Sequence, residues 1–237
     1  MKNILLILLL LIIIYKLLNE SQEYFSDELM GHDEIKKHIT YGLKTIDTIF
    51  NKHNIEYIIA YGTLLGAIRH HEMIPWDDDA DLMIHKKDYW KVLELKEEFE
   101  KHNLIIETDY KLIKIYFNEK KYPFIDIFLH DIVDDNVYRC YTPTTNVNDK
   151  CDVPPKTSEN DWWWKWYNFP SSYISERKRF KYGDIELWGP KNPLKVLYFW
   201  YGKRCLKECK SASYDHVTSN YVDEKDLSCG KLPKPQI

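Results

Sequence analysis

Apolar residues recur at three- and four-residue steps between positions 33 and 54, at Ile35, Ile39, Leu43, Ile46 and Phe50. That spacing predicts an amphipathic helix. Ile55 to Tyr61 reads as a strand, broken by Gly62-Thr63, and Leu64 to His70 reads as a short helix. Ile74 to Trp76 leads into an acidic cluster, and Asp81-Leu82-Met83-Ile84 reads as the end of another strand. Tyr89 to Glu100 is predicted helical, with Trp90, Leu93 and Phe99 available for packing. Leu112 to Phe117 and Phe124 to Leu129 read as two strands joined by a polar turn at 118–121. The order helix, strand, short helix, strand, helix, strand, strand predicts an α+β fold, a small sheet with helices packed against it.

Beyond Asp135 the pattern fades. Residues 136–172 are predicted to be loop-rich, with Pro143, Pro154, Pro155 and Pro170. Within them Trp162, Trp163, Trp164 and Trp166 cannot all face one side of an element. They either line a sugar- or lipid-facing groove or form a hydrophobic cover. Leu194 to Tyr201 reads as a helix closed by Gly202. Residues 206–237 are predicted to be a tail, polar and peripheral from 210 onward, and no internal repeat is present.

At the other end an apolar run from Ile4 to Tyr15 is interrupted by Lys16 and extended by Leu17 and Leu18. No small-x-small cleavage site follows it. The reading favoured is an uncleaved signal anchor over 1–18, with Lys16 snorkelling, and a polar tether over 19–32. It predicts a single-pass membrane protein with its main domain in the secretory-pathway lumen or outside, or a secreted one if the segment is cleaved. A signal peptide and a buried core helix are the alternatives; the all-round Ile and Leu surface disfavours the second.

A formal net charge of −4 argues against a general nucleic-acid binder, which needs a net basic face. The average hides a split: residues 177–207 hold nine Lys or Arg against two Asp or Glu. The run Arg177-Lys178-Arg179 with Lys181 is either a solvated face or a contact for an anionic donor or glycan. In an oxidising lumen the five cysteines would form one or two disulfides. Cys140 with Cys151 closes a short loop and is the first choice. Cys205-x-x-x-Cys209 can pair or bind zinc, and the odd count leaves one thiol over.

Four carboxylates fall between Asp77 and Asp81. An acidic run alone is ordinarily a solvated loop. Here Pro75-Trp76 precede it and Leu82-Met83-Ile84 follow, so charges crowd where a strand begins, at a cost in repulsion that a divalent cation removes. Asp79 and Asp81 lie two apart and point to one side of a strand. Two oxygen ligands on one side suit Mg2+. Asp126, a lone acid in the apolar strand 124–128, is costly to bury unless it meets the same metal. Gly62-Thr63 makes a tight strand-to-helix turn whose backbone N–H groups can hold phosphate oxygens. Arg69 can clamp a phosphate with its planar fork.

These segments resemble the LicD/fukutin family of the nucleotidyltransferase-fold superfamily. The likeness rests on Tyr-Gly-Thr-Leu-Leu-Gly-Ala-Ile-Arg-His at 61–70, Ile-Pro-Trp-Asp-Asp-Asp-Ala-Asp-Leu at 74–82 and Ile-Asp-Ile-Phe at 125–128. A weaker echo lies at 182–190 and 200–202. It covers about 33–205, the expected catalytic domain, with 136–172 an insertion that matches nothing in the family. The resemblance implies a nucleotidyltransferase-like small mixed sheet and a phosphotransferase using a CDP-linked donor. It implies Mg2+ (or Mn2+) held by Asp79, Asp81 and Asp126, and donor phosphate held by Gly62, Thr63 and Arg69. Asp77 and Asp78 would support the metal shell. The acceptor would be a glycan or glycoprotein hydroxyl attacking the donor's β-phosphorus, with CMP leaving. Asp126 is a candidate to take the proton, and the general base is left open. Nucleotidyl transfer to a sugar or protein, and a catalytically dead glycan-binding membrane protein, are the competing readings.

Overall fold

A computed structural model describes residues 32–108, 112–117, 120–140, 168–216 and 220–237. The expected anchor at 1–18, nearly all of the tether and the Trp162–Trp166 run lie outside the described residues. Among the described residues no helix is long and apolar enough to cross a membrane.

The chain runs α1 (His32–Lys52), β1 (Tyr57–Ile59), α2 (Tyr61–Arg69), β2 (Ala80–His85), α3 (Tyr89–Glu94), α4 (Lys96–Glu100), β3 (Leu104–Thr108), β4 (Ile113–Phe117) and β5 (Lys120–Val133). It continues with β6 (Asn136–Cys140), β7 (Asn168–Pro170), β8 (Arg177–Tyr182), β9 (Ile185–Pro190) and α5 (Pro193–Tyr201), then four two-residue strands, β10 to β13, between Cys209 and Leu227. The central sheet has the order β1-β2-β5-β4-β3, with β6 on β5 and β7 on β6. Among the described strands of this sheet only β2 and β5 run parallel; the other pairs are antiparallel. The fold is therefore the expected mixed sheet with packed helices.

Alternation along the central strands decides what each face carries. Ala80, Leu82 and Ile84 of β2 and Ile125, Ile127 and Leu129 of β5 are fully buried. Helix α1 lies on that face so closely that a Cβ on Gly42 would sit 2.7 Å from Ile125 Cδ1. Ile35, Ile39, Leu43, Ile46 and Phe50 supply its buried stripe, as the spacing predicts. The opposite face carries Asp81, Asp126 and Phe128. Helix α2 and α5 cover it through Tyr61, whose ring meets Phe128 at 5.2 Å and Trp200 at 4.3 Å.

Several expectations are corrected. The strand at 55–61 shortens to β1 because the chain turns at Ala60 directly into α2, with Tyr61 at φ +39°. The helix expected over 89–100 breaks at Leu95, whose ψ of 6° is not helical. The ends of the 136–172 segment are strands: β6 and β7 extend the sheet, and the pair Val137–Phe169 is buried. The two arginines of the basic run are committed to the fold, while Lys181 is exposed. Arg179 forks onto both Asp47 oxygens at 2.6 and 2.9 Å, and Arg177 donates to Tyr57 O and Glu56, pinning the β8–β9 hairpin to α1 and β1.

The tail is largely exposed but tied to the rest of the chain. Cys209 bonds to Cys229, not to Cys205, which is a free buried thiol. Cys140 is also disulfide-bonded, and Cys151, its expected partner, lies outside the described residues. Gln236 donates to Ala67 O at 2.7 Å and Lys181 O at 2.9 Å, and Trp76 Nε1 donates to Lys210 O.

Candidate active site and metal centre

The site is built where β2 and β5 lie side by side in parallel. Their register pairs Asp81 with Asp126, and Asp79 enters from the residues leading into β2. One carboxylate oxygen from each of Asp79, Asp81 and Asp126 lies within 4.8 Å of the other two. Three hard oxygen donors this close fit Mg2+ or Mn2+.

The electrostatics agree with that fit. Burial and the charge of Asp77 push the Asp79 carboxyl well above the usual range. Burial and the charges of Asp79 and Asp126 do the same for Asp81. Burial also raises Asp126 against the pull of Lys114, and burial with the charge of Asp78 lifts Asp77 to about 7. Burial and mutual repulsion make it costly to keep every carboxylate of the cluster charged, and a divalent ion removes that penalty.

The N-terminus of α2 forms the floor. No side chain caps it from Ala60, and its first-turn N–H groups have no partner within the helix. A Cβ on Gly62 would lie 2.8 Å from Asp77 Oδ2 and 3.9 Å from Asp81 Oδ2. Only a glycine lets the carboxylates approach the helix end this closely, where the helix dipole favours anions. The Thr63 hydroxyl accepts from Asp81 N at 2.7 Å and so latches α2 to β2.

Arg69 stands elsewhere than expected. It is 3% exposed; its Nη1 donates to Cys205 O and Glu208 O, and its Nε to His70. The guanidinium fastens the tail to α2 and is not available as a phosphate clamp.

Two side chains that sequence reasoning passed over enter the site. Lys114 of β4 sits opposite Asp126 in register, donates to its Oδ1 at 2.5 Å, and lies 3.6 Å above the Phe124 ring. The available hint was a lone Lys between Ile113 and Ile115. His216 comes from the tail. Its Nδ1 lies 2.7 Å from Asp78 Oδ1 and its Nε2 lies 3.5 Å from Asp79 Oδ2. Burial opposes its charge, but the hydrogen bond to Asp78 and the charge of Asp79 raise it to about 9. Nothing in the local pattern marked His216; only the flanking Cys209 and Cys229 hinted that its loop is held. Tyr122 also donates to Asp78 Oδ2 at 3.2 Å.

The family description LicD/FKTN/FKRP, nucleotidyltransferase domain, matches residues 54–192. An uncharacterized protein of Rickettsia prowazekii is 27% identical over 70% of this chain and 58% of its own length. One from Rickettsia typhi is 30% identical over 64% of this chain and 41% of its own length. The lipopolysaccharide cholinephosphotransferase LicD of Haemophilus influenzae is 33% identical over 34% of this chain and 37% of its own length. The chain thus spans less than two thirds of each of these relatives. A solved structure of the lincosamide antibiotic adenylyltransferase LnuA, lincomycin-bound, aligns at TM-score 0.38 and 16% identity over 70% of this chain and 94% of that one.

Proposed function

This chain belongs to the LicD/FKTN/FKRP nucleotidyltransferase-domain family, and from that premise we propose that it is a LicD-type phosphotransferase. It moves a phospho-alcohol, such as phosphocholine or a polyol phosphate, from a CDP-linked donor to a glycan hydroxyl and releases CMP. The observation that carries the reading is the convergence of Asp79, Asp81 and Asp126 beside the uncapped N-terminus of α2. The lipopolysaccharide cholinephosphotransferase among the relatives supports the choice of chemistry.

Asp79, Asp81 and Asp126 would hold Mg2+ or Mn2+. When bound, the ion offsets charge on the transferring phosphoryl group. Gly62 and Thr63 present backbone N–H groups to donor phosphate oxygens. In the transfer the acceptor oxygen bonds to the β-phosphorus, and the bond from that phosphorus to the CMP oxygen breaks. The acceptor's proton passes to a carboxylate, for which Asp126 is the candidate. His216 and Tyr122 orient Asp78 beside the ligands.

The catalytic domain is assigned to residues 33–205, with His216 reaching it from the tail at 206–237. A location in the secretory-pathway lumen or outside the cell, anchored by 1–18, is part of the proposal. The Cys209–Cys229 disulfide supports an oxidising compartment. The test is to incubate the full chain with a panel of CDP-alcohols and Mg2+ and follow nucleotide products. CMP release is expected. Pyrophosphate release from a nucleoside triphosphate, with no CMP from any CDP-alcohol, would move the chain to nucleotidyl transfer.

A further inference from the structure

With Arg69 committed to the tail, the positive charge that faces a donor's phosphates must come from another residue. We propose that Lys114 holds the transferring phosphate, in a diphosphate subsite between β4 and β5; this rests on the CDP-donor reading above. Three observations carry it. Lys114 lies directly across from Asp126, and Asp81 flanks Asp126 on its other side, so the ammonium borders the carboxylate triad. Among the described residues its side chain donates to Asp126 Oδ1 at 2.5 Å, on a carboxylate that is itself one of the three candidate metal ligands. The Phe124 face, 3.6 Å from Nζ, holds the ammonium at the sheet when that carboxylate is taken.

Lys114 therefore alternates between two anions. In the metal-free chain it is the counter-ion of Asp126. Once a cation sits among Asp79, Asp81 and Asp126, the three ammonium donors are left for phosphate oxygens at the edge of the metal. A Lys suits this duty better than an Arg, because a point charge follows a moving phosphoryl group without a fixed fork.

The probes are Mn2+ alone, inorganic pyrophosphate with Mn2+, and CDP with Mn2+, titrated calorimetrically into the full chain. Lys114→Met and Lys114→Gln should keep Mn2+ affinity or tighten it, and should bind pyrophosphate at least tenfold more weakly. Lys114→Arg should recover part of that loss. In the wild-type chain, Mn2+ with pyrophosphate should protect Lys114 from amine acylation, read by mass spectrometry. That measurement needs no variant to fold. Equal pyrophosphate affinity in wild type and variants, or acylation indifferent to pyrophosphate, overturns the proposal. So does a loss of pyrophosphate binding that merely tracks a loss of Mn2+ binding. A wild-type chain that binds pyrophosphate through Lys114 but ignores CDP would overturn the cytidine-donor reading alone.

Discussion

Replacing Gly62 by Ala separates stability from site chemistry. The added Cβ would stand 2.8 Å from Asp77 Oδ2 and 3.9 Å from Asp81 Oδ2. Ordinary non-bonded contact begins at about 3.5 Å, so the Asp77 carboxylate must retreat by about 0.7 Å. The clash falls on the end of a side chain, not on backbone, and the helical backbone at Gly62 suits Ala. Ala gains about 1 kcal/mol over Gly through helix propensity and a less disordered unfolded chain. Displacing a crowded carboxylate costs a similar amount, so net stability should stay within about 1 kcal/mol of wild type. The metal centre should not escape. The displaced Asp77 carboxylate bears on both Asp79 and Asp81, and a weakening of Mn2+ binding by about tenfold, or ~1.4 kcal/mol, is expected. Urea unfolding gives the first quantity and calorimetric Mn2+ titration the second. Unchanged Mn2+ affinity with full turnover would refute the idea that the α2 N-terminus is the floor of the site.

Two further expectations concern parts away from the metal. Arg179→Ala removes the fork to Asp47, a part-buried pair that also holds the Tyr57 hydroxyl. It should cost about 1–3 kcal/mol in denaturant unfolding, with donor KM unchanged; a raised KM at wild-type stability would return Arg179 to a donor role. His130, 8% exposed, is held neutral by burial, its pKa pushed down to about 3. The unfolded chain then takes up the proton first as pH falls below about 6.5. The stability of the neutral ring is present above that pH and is lost progressively toward pH 3. By pH 4.5 the loss is about 2–3 kcal/mol. His130→Gln should flatten thermal stability between pH 7 and 4.5 relative to wild type, and an unchanged slope would contradict this.

Asp79 and Asp81 were legible because a two-residue spacing on a strand fixes their side, whatever the strand pairs with. Asp126 was legible because an isolated acid among Ile125, Ile127 and Phe128 has no cheap burial alone. What brings these three together, the parallel register of Asp81 on Asp126, is long-range and leaves no local trace. Lys114 depends on that same pairing carried one strand further, which is why its strand was read and its role was not. Arg69 shows the opposite failure. Its place beside a glycine turn reads as phosphate chemistry, yet two carbonyls from a segment over 130 residues away absorb its donors. The tail looked peripheral because it lacks periodicity. The Cys209–Cys229 bond and hydrogen bonds to α2 hold it instead of an apolar stripe.

The central claim is that three carboxylates support metal-dependent transfer from a CDP-linked donor, and phosphorus NMR of one reaction tests it directly. The full chain is mixed with a CDP-alcohol such as CDP-choline, a glycan acceptor and Mg2+. The diphosphate resonances should give way to CMP and a new phosphodiester. Conversion should stop in EDTA and in Asp79→Asn, Asp81→Asn and Asp126→Asn chains that remain folded. Conversion at the wild-type rate in EDTA or in those variants would contradict it, as would folded wild-type protein that leaves every CDP-alcohol intact.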